Sequence, residues 1–368
     1  MPLPLENIRI LSLAHLYPGP FATMLLADMG ADVIIVENPD GGDRTRRYDG
    51  HFAALNRNKR AVTLDLKASE GREAFLRLVE SADVVLEGMR PGTMAKLGLD
   101  DATLKRRRPD LIIASLSGFG QTGPMGPRAA HDLSLQGMAG MIHPTEQADG
   151  DIPLPPLVLS DIASANAAAL GIVAALFQRE RDDHAPRLDV AMLDSLVTWL
   201  APHLVPEMND MRPARLPPMD PGYGVFRLAD GRCITISISA EMHHWRALCT
   251  ALDLSQFADL DEETRISRRA EIQPMIRRAL LAMDADTARR LLDQRGIPAA
   301  PVIAGHEVEA HPQVRARGII AEHDGHRYVL QPVLFDGARG QVHRPAPHLG
   351  QHNAQLLQAD AMPADEDS

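Results

Sequence analysis

Three side chains have the type and setting to move protons or to form a covalent bond. Asp161 heads an Ala- and Leu-rich run, residues 161–179 (DIASANAAALGIVAALFQR), behind Pro153, Pro155 and Pro156. A carboxylate in that place admits two readings. It is a first-turn helical acid that satisfies amides and the dipole, or it is a nucleophile or base held in an amide-rich site of low dielectric. His131 sits among small residues in RAAHD, residues 128–132. An imidazole there can carry a proton near neutral pH, although a lone histidine is more often structural. Glu241 follows the strand-like ITISIS of residues 234–239 and precedes a helical pattern from Met242, so it can cap that helix or join a site.

Metal and phosphate chemistry find less support. His243-His244 are adjacent rather than four apart, so their rings are expected to point apart on a helix. His323-Asp324-Gly325-His326 lies in a turn-like stretch, and His343, His348 and His352 line a Pro-rich run; solvated surface histidines are the expectation for both. Cys233 and Cys249 are too few for a disulfide scaffold or a four-cysteine metal site, and both are expected to be buried thiols. No GxGxxG follows the first strand and no GxxxxGK[ST] occurs, so neither a nicotinamide cofactor nor a nucleoside triphosphate is indicated.

The elements that must hold these residues alternate between two periods. Residues 8–13, 32–36, 62–66, 83–86 and 111–116 read as short apolar strands, and residues 21–29 and 69–81 between them as helices. The first of those helices is expected to start after a chain break at Gly19-Pro20 and to close at Gly30. This alternation predicts βαβ units and a parallel, Rossmann-like sheet. Residues 161–179 read as a buried helix, and 188–200 as strand or helix. Proline density peaks at Pro202, Pro206, Pro213, Pro217, Pro218 and Pro221, which suggests a linker. A hairpin around Asp230-Gly231 and helical patterns over 242–252, 266–283 and 287–294 then predict a smaller α+β domain. The tail from Ala359 is small, acidic and expected to fray.

The chain has 368 residues, 45% hydrophobic and 24% charged, which excludes whole-chain disorder and suggests one large or two ordinary domains. The net charge of −11 speaks against nucleic acid and anionic membranes as partners. The charge is uneven: residues 1–130 carry 17 Lys and Arg against 16 Asp and Glu, and the remainder carries 21 against 33. The clusters 44–47 (RTRR), 57–60 (RNKR) and 105–108 (KRRR) fall in the neutral part, where an anionic ligand is expected. The first twenty residues lack a basic n-region and a long apolar run. With no uninterrupted run of ~18 to 20 apolar residues elsewhere, a cytoplasmic protein is the expectation.

Ordered motifs over some 350 residues resemble CoA-transferase family III, a superfamily that also holds the alpha-methylacyl-CoA racemases. They are HLYPGP (15–20), LADMGAD (26–32), NRNKR (56–60), LDLK (64–67), RPG (90–92), LGL (97–99), SGFGQTGP (117–124), DVAMLD (189–194), GIPAAPV (296–302) and HPQV (311–314). The resemblance implies a Rossmann-like large domain made from both chain ends (1–200 and 306–368), a linker at 201–224, a small α+β domain at 225–305, and an interlocked homodimer. It implies no permanently bound cofactor. An acyl-CoA thioester is the substrate, with a free carboxylic acid as acceptor. Matched positions put Leu16 and Tyr17 near the thioester, Asn38 by the adenine, Leu64 and Lys67 by the nucleotide, and Gly88, Met89, Arg90 and Lys96 along phosphates and pantetheine. Much of the family has Asn-Phe where this chain has Gly88-Met89.

Asp161 falls on the family's catalytic aspartate. In the transferases it attacks the thioester, and backbone amides stabilise the oxyanions. In the racemases an aspartate and a histidine exchange the α-proton of a 2-methylacyl-CoA, with a glutamate nearby; Asp161, His131 and Glu241 match those positions. The chain's length and the lack of a glycine run near the small domain favour the racemase. Ala130 before His131, Ile162-Ala163-Ser164 after Asp161, and Gln136-Gly137-Met138-Ala139-Gly140 favour the transferase. CoA transfer is the preferred reading, and epimerisation the alternative.

Overall fold

The computed structural model describes residues 3–142, 154–211 and 220–357. The expectation of a frayed tail from Ala359 and the prolines at 153, 213, 217 and 218 lie outside the described residues. Two compact units divide the chain: Met1–Pro202 with Arg315–Ser368, and His203–Val314.

In the first unit, β1 (Arg9–Leu13), β2 (Asp32–Glu37), β3 (Lys59–Thr63), β4 (Val84–Glu87), β5 (Ile112–Ser117) and β6 (Arg187–Ala191) form one parallel sheet in the order β3-β2-β1-β4-β5-β6. Its inner strands are apolar on both faces because helices cover both. Ile10 packs into a core with the helices Pro18–Asp28 and Leu159–Asp182, while its neighbour Leu11 points the other way, into a core with Ser69–Glu80 and Asp101–Arg107. The strand order reverses between β1 and β4. In such sheets ligands bind in the crevice beyond the carboxyl ends at that reversal.

The helix Leu159–Asp182 is long and apolar enough, by length and composition, to cross a membrane. Five of its seven alanines (Ala163, Ala165, Ala168, Ala169 and Ala175) are buried against the sheet and the helix Pro18–Asp28, while Leu170 and Phe177 face outward. Small residues permit this close packing.

Several boundaries differ from the sequence reading. Gly19-Pro20 does not break the chain but lies inside the first turn of Pro18–Asp28, where a proline's missing N–H costs nothing. β3 starts three residues before position 62, at Lys59, because its charged residues find buried partners: Lys59 Nζ donates to Pro20 O and Asn56 Oδ1, and Arg60 pairs with Asp32. Residues 188–200 are both strand and helix, β6 followed by Met192–Trp199. The expected linker begins with a helix, Ala201–Met208, that contains Pro206.

The C-terminal segment completes the first unit along the exposed edge of β3. His352 accepts from Ala61 N through Nδ1 and donates its backbone N–H to Ala61 O, and the Asn353 side chain accepts from Thr63 N through Oδ1 and donates to Thr63 Oγ1 through Nδ2. This pairing masks an edge that would otherwise template association. Inside, Asp28 receives Arg57 (2.7 Å), Asn58 (3.0 Å) and the Gln331 amide (3.2 Å), which ties the returning chain to the first helix.

In the second unit β7 (Tyr223–Arg227), β8 (Cys233–Ser237) and β9 (Ala299–Pro301) form an antiparallel sheet. The turn carries Gly231 at φ 81°, a conformation that favours glycine. Helices Met242–Ala251, Glu262–Ser267, Arg269–Leu281 and Ala285–Asp293 pack with it around Trp245. The helical pattern at 266–283 is thus two helices, broken at Arg268. Arg265 is fully buried here, bonded to Asp220 at 2.5 Å and to Ser239 O.

Candidate active site

A cleft of about 350 Å³ opens at the sheet's reversal point. It is walled by residues of 14–19 after β1, 88–91 after β4, the end of β5 with Gly118, the loop 126–132 and the start of Leu159–Asp182, together with Arg44 and Met192. Asp161 is the third residue of that helix, and its half-buried carboxyl faces the cleft. Burial, and then the nearby charge of Asp132, push it from the ordinary 3.8 up to about 6. His131, the residue before the helix Asp132–Met138, lines the same cleft with an exposed side chain. The cleft is narrow at Gly118, where a Cβ would lie 2.5 Å from that of Ala130.

Asp132 was not singled out from the sequence, yet it joins these two segments. Its Oδ1 accepts from both Ser160 N and Ser160 Oγ at 2.8 Å, and its Oδ2 accepts from Gln136 Nε2 at 2.7 Å. Gln136 also donates to Leu157 O. The residue before the long helix, Val158, has no capping side chain, so a carboxylate from another segment does that work. The only signal in the sequence was its position after His131.

On the β1 side, Leu16 has φ 69°, an unusual value for leucine. Its N–H donates to Asp43 Oδ2 at 2.9 Å. Asp43 is anchored in turn: its Oδ1 accepts from Thr45, and its N–H donates to Glu37 Oε1. Glu37 is gripped by Arg46 at 2.6 and 2.7 Å. Tyr17 is within electrostatic reach of Asp161; burial and that negative charge both raise its phenol.

A second cleft of about 150 Å³ is lined by Asn38, Leu64, Lys67 and Met89 among others. Met89 and His15 line both clefts, so the two adjoin. Leu16, Gly88 and Arg90 belong to the first, while Lys96, exposed at the end of the helix Thr93–Lys96, lines neither. The Met89 amide donates to Glu87 Oε2 at 2.7 Å, and Glu87 also accepts from Ser115.

Some expectations need correction. The cluster 57–60 is no anion site: Arg57 is buried against Asp28, Lys59 is fully buried, and Arg60 is tied to Asp32. Burial and the adjacent Arg57 hold the Lys59 ammonium well below its ordinary range. Arg107 pairs with Glu73 and Glu80, and Arg108 with Asp110. The cationic lining of the first cleft instead comes from Arg44, Arg90 and Arg128. The His243 and His244 rings do not diverge; their centroids lie 3.9 Å apart. His352 is not a solvated surface residue but a backbone partner of β3. Cys233 is half-buried rather than buried, whereas burial pushes the Cys249 thiol up to about 12. Glu241 belongs to the second unit and precedes its helix without a side-chain cap; it accepts from Ser239 N at 3.0 Å.

The sheet order, the crevice and a half-buried carboxylate at a helix start define an α/β enzyme of the kind that binds its ligand at the strand-order reversal. The model of CoA-transferase family III matches residues 5–353, and the chain belongs to that family. It is 34% identical to the succinate–glutarate CoA-transferase of Agrobacterium fabrum, over 96% of this chain and 95% of that one. It is 36% identical to a succinyl-CoA:mesaconate CoA-transferase of Haloarcula marismortui over the same shares. Among solved structures, a CaiB/BaiF family protein of Brucella suis superposes with a TM-score of 0.85 at 30% identity, covering 97% of this chain and 99% of that one. The transferase reading stands. Relatives named as transferases match over nearly their whole length, so chain length no longer favours the racemase.

Proposed function

We propose that the chain moves CoA from an acyl-CoA donor to a carboxylic acid through covalent intermediates on Asp161. One observation carries this reading: a half-buried carboxylate, raised to about 6 yet mostly ionised at neutral pH, faces a cleft that continues into a second one beside Asn38, Leu64 and Lys67. An Asp161 oxygen attacks the thioester carbonyl, the C–S bond breaks and the CoA thiolate leaves with its electron pair. The thiolate then attacks the Asp161 carbonyl of the mixed anhydride, releasing the first acid and leaving an aspartyl-CoA thioester. The acceptor carboxylate takes over by the same two steps in reverse. One exchange between poor nucleophiles becomes several easier ones. Leu16 and Tyr17 flank the thioester, Asn38, Leu64 and Lys67 hold the nucleotide, and Gly88, Met89, Arg90 and Lys96 run along the phosphates and pantetheine.

Arg44, Arg90 and Arg128 line the cleft without an acidic partner among the described residues. Uncompensated cations suit the phosphates of CoA and the second carboxylate of a dicarboxylic acid, a class that includes the acids in the relatives' names. The working form in this reading is an interlocked homodimer in the cytoplasm.

Epimerisation remains the second reading because His131 shares the cleft with Asp161, with Glu241 assisting. A single assay separates the two. Acyl-CoA is incubated in deuterated water with and without an acceptor acid, and hydroxylamine is used to trap the Asp161 anhydride or thioester. CoA transfer and a trapped adduct that survive His131→Ala support transfer. Acceptor-independent α-deuteration that is lost in His131→Ala would sink it.

A further inference from the structure

We propose that Asp132 is a positioning residue for the transfer: it caps the helix that carries Asp161, and its charge drives Asp161 toward the neutral, acylated state. The inference rests on the covalent reading of Asp161.

The geometry supplies both halves. Asp132 holds the amide and hydroxyl of Ser160, the residue directly before Asp161, and Gln136 braces its other oxygen against Leu157 O. Ser160 and Gln136 are both essentially inaccessible to water, so this clamp is rigid. The backbone turn that aims Asp161 is therefore set by a side chain from the loop that carries His131. A neutral serine or asparagine would cap the amide equally well. A carboxylate adds something a neutral cap lacks, a negative charge beside the reacting carboxylate.

That charge favours product over reactant in the first step. When Asp161 attacks the thioester, its negative charge leaves with the CoA thiolate. The mixed anhydride on Asp161 is neutral, and so is the aspartyl-CoA thioester that follows. Repulsion from Asp132 is present in the free enzyme and relieved in both covalent states. The other charged or titratable groups that line the cleft are His131 on the same loop, Arg128 before it, His15 after β1, Arg44 and Arg90, and Tyr17, just before the first helix, is within electrostatic reach of Asp161. The arginines favour the carboxylate, so the effect of Asp132 must be read as a difference between variants.

Asp132→Asn keeps an oxygen for Ser160 and removes the charge; Asp132→Ala removes both. Protonation of Asp161 is read without substrate, as the pH midpoint of its labelling by a water-soluble carbodiimide, with the modified peptide identified by mass. Asp132→Asn lowers that midpoint by at least about half a pH unit. With succinyl-CoA and no acceptor, the fraction of full-length enzyme carrying the Asp161 adduct falls at least about threefold, while KM for succinyl-CoA changes less than about twofold. Asp132→Ala loses further kcat through the missing clamp. A purely structural cap would move neither the midpoint nor the adduct fraction of the Asn variant, and either result unchanged in a folded variant overturns the proposal. If wild-type enzyme forms no adduct with succinyl-CoA or acetyl-CoA, the covalent reading fails instead, and the labelling midpoint alone decides whether Asp132 acts on Asp161.

Discussion

If Asp161 is the nucleophile of the proposed transfer, replacing it by Asn should abolish transfer and, at the same time, stabilise the protein above pH 6. In the native state burial and Asp132 raise the carboxyl from 3.8 to about 6. The sign follows from proton binding. Between these two values the native state holds a proton that the unfolded chain has released. Stability therefore falls as pH rises through that window, and the full cost of the buried charge is present above it. Two pH units correspond to about 3 kcal/mol. The side chain keeps some contact with water, and screening reduces the figure to about 1–2 kcal/mol. Asn has nearly the same shape and no charge. Urea unfolding followed by circular dichroism should give the Asp161→Asn variant a gain of about 1–2 kcal/mol at pH 7.5 that shrinks toward zero near pH 4. Equal stability at pH 7.5, or the same gain at both pH values, refutes the claim that a strained charge sits at this position. The same ionisation governs activity. In the proposed mechanism only the carboxylate attacks, so kcat/KM should fall about tenfold per pH unit below a midpoint near 6.

Other outcomes test the surrounding structure. Asp28→Ala leaves Arg57 buried and unpaired and should cost about 3–5 kcal/mol in urea unfolding, with early proteolysis of the C-terminal segment released from Gln331. Gly118→Ala forces a Cβ against Ala130 and should lower stability by about 1–3 kcal/mol and reduce kcat; Ala130→Gly in the same chain restores both, and a failure of this rescue would show that the contact is not the cause. Arg128→Ala should raise KM for a dicarboxylic acceptor at least about tenfold and leave a monocarboxylic acceptor nearly unchanged, as measured by steady-state kinetics. An equal effect on both acceptors would assign Arg128 to CoA instead.

The parallel sheet was legible because its strands are short and apolar throughout, as at residues 32–36 and 111–116, and are spaced by amphipathic helices. The boundaries that slipped have specific causes. β3 opens with Lys59 and Arg60, whose charges look like a solvated face until Asp32, Pro20 and Asn56 supply partners. The helix from Pro18 looked broken at its second and third residues, because proline and glycine break a helix in its interior but not in its first turn. Asp161 and His131 were identifiable by type and motif. Asp132 and Asp43 were not, since a carboxylate in a loop is unremarkable in sequence. Their significance lies in whose amide they hold, Ser160 in one case and a left-handed Leu16 in the other.

Sequence alone determined the class of sheet, the ordered motifs of the family and the acid that heads the long helix, because periodicity and local propensity are properties of neighbouring residues. Tertiary structure alone decided that the helix is capped by a residue 28 positions earlier, that two of the three basic clusters are consumed as internal partners, and that His352 closes the sheet edge at Ala61. Those outcomes depend on pairing across long separations. A charge becomes structural or functional according to what burial places opposite it, and no local pattern records that.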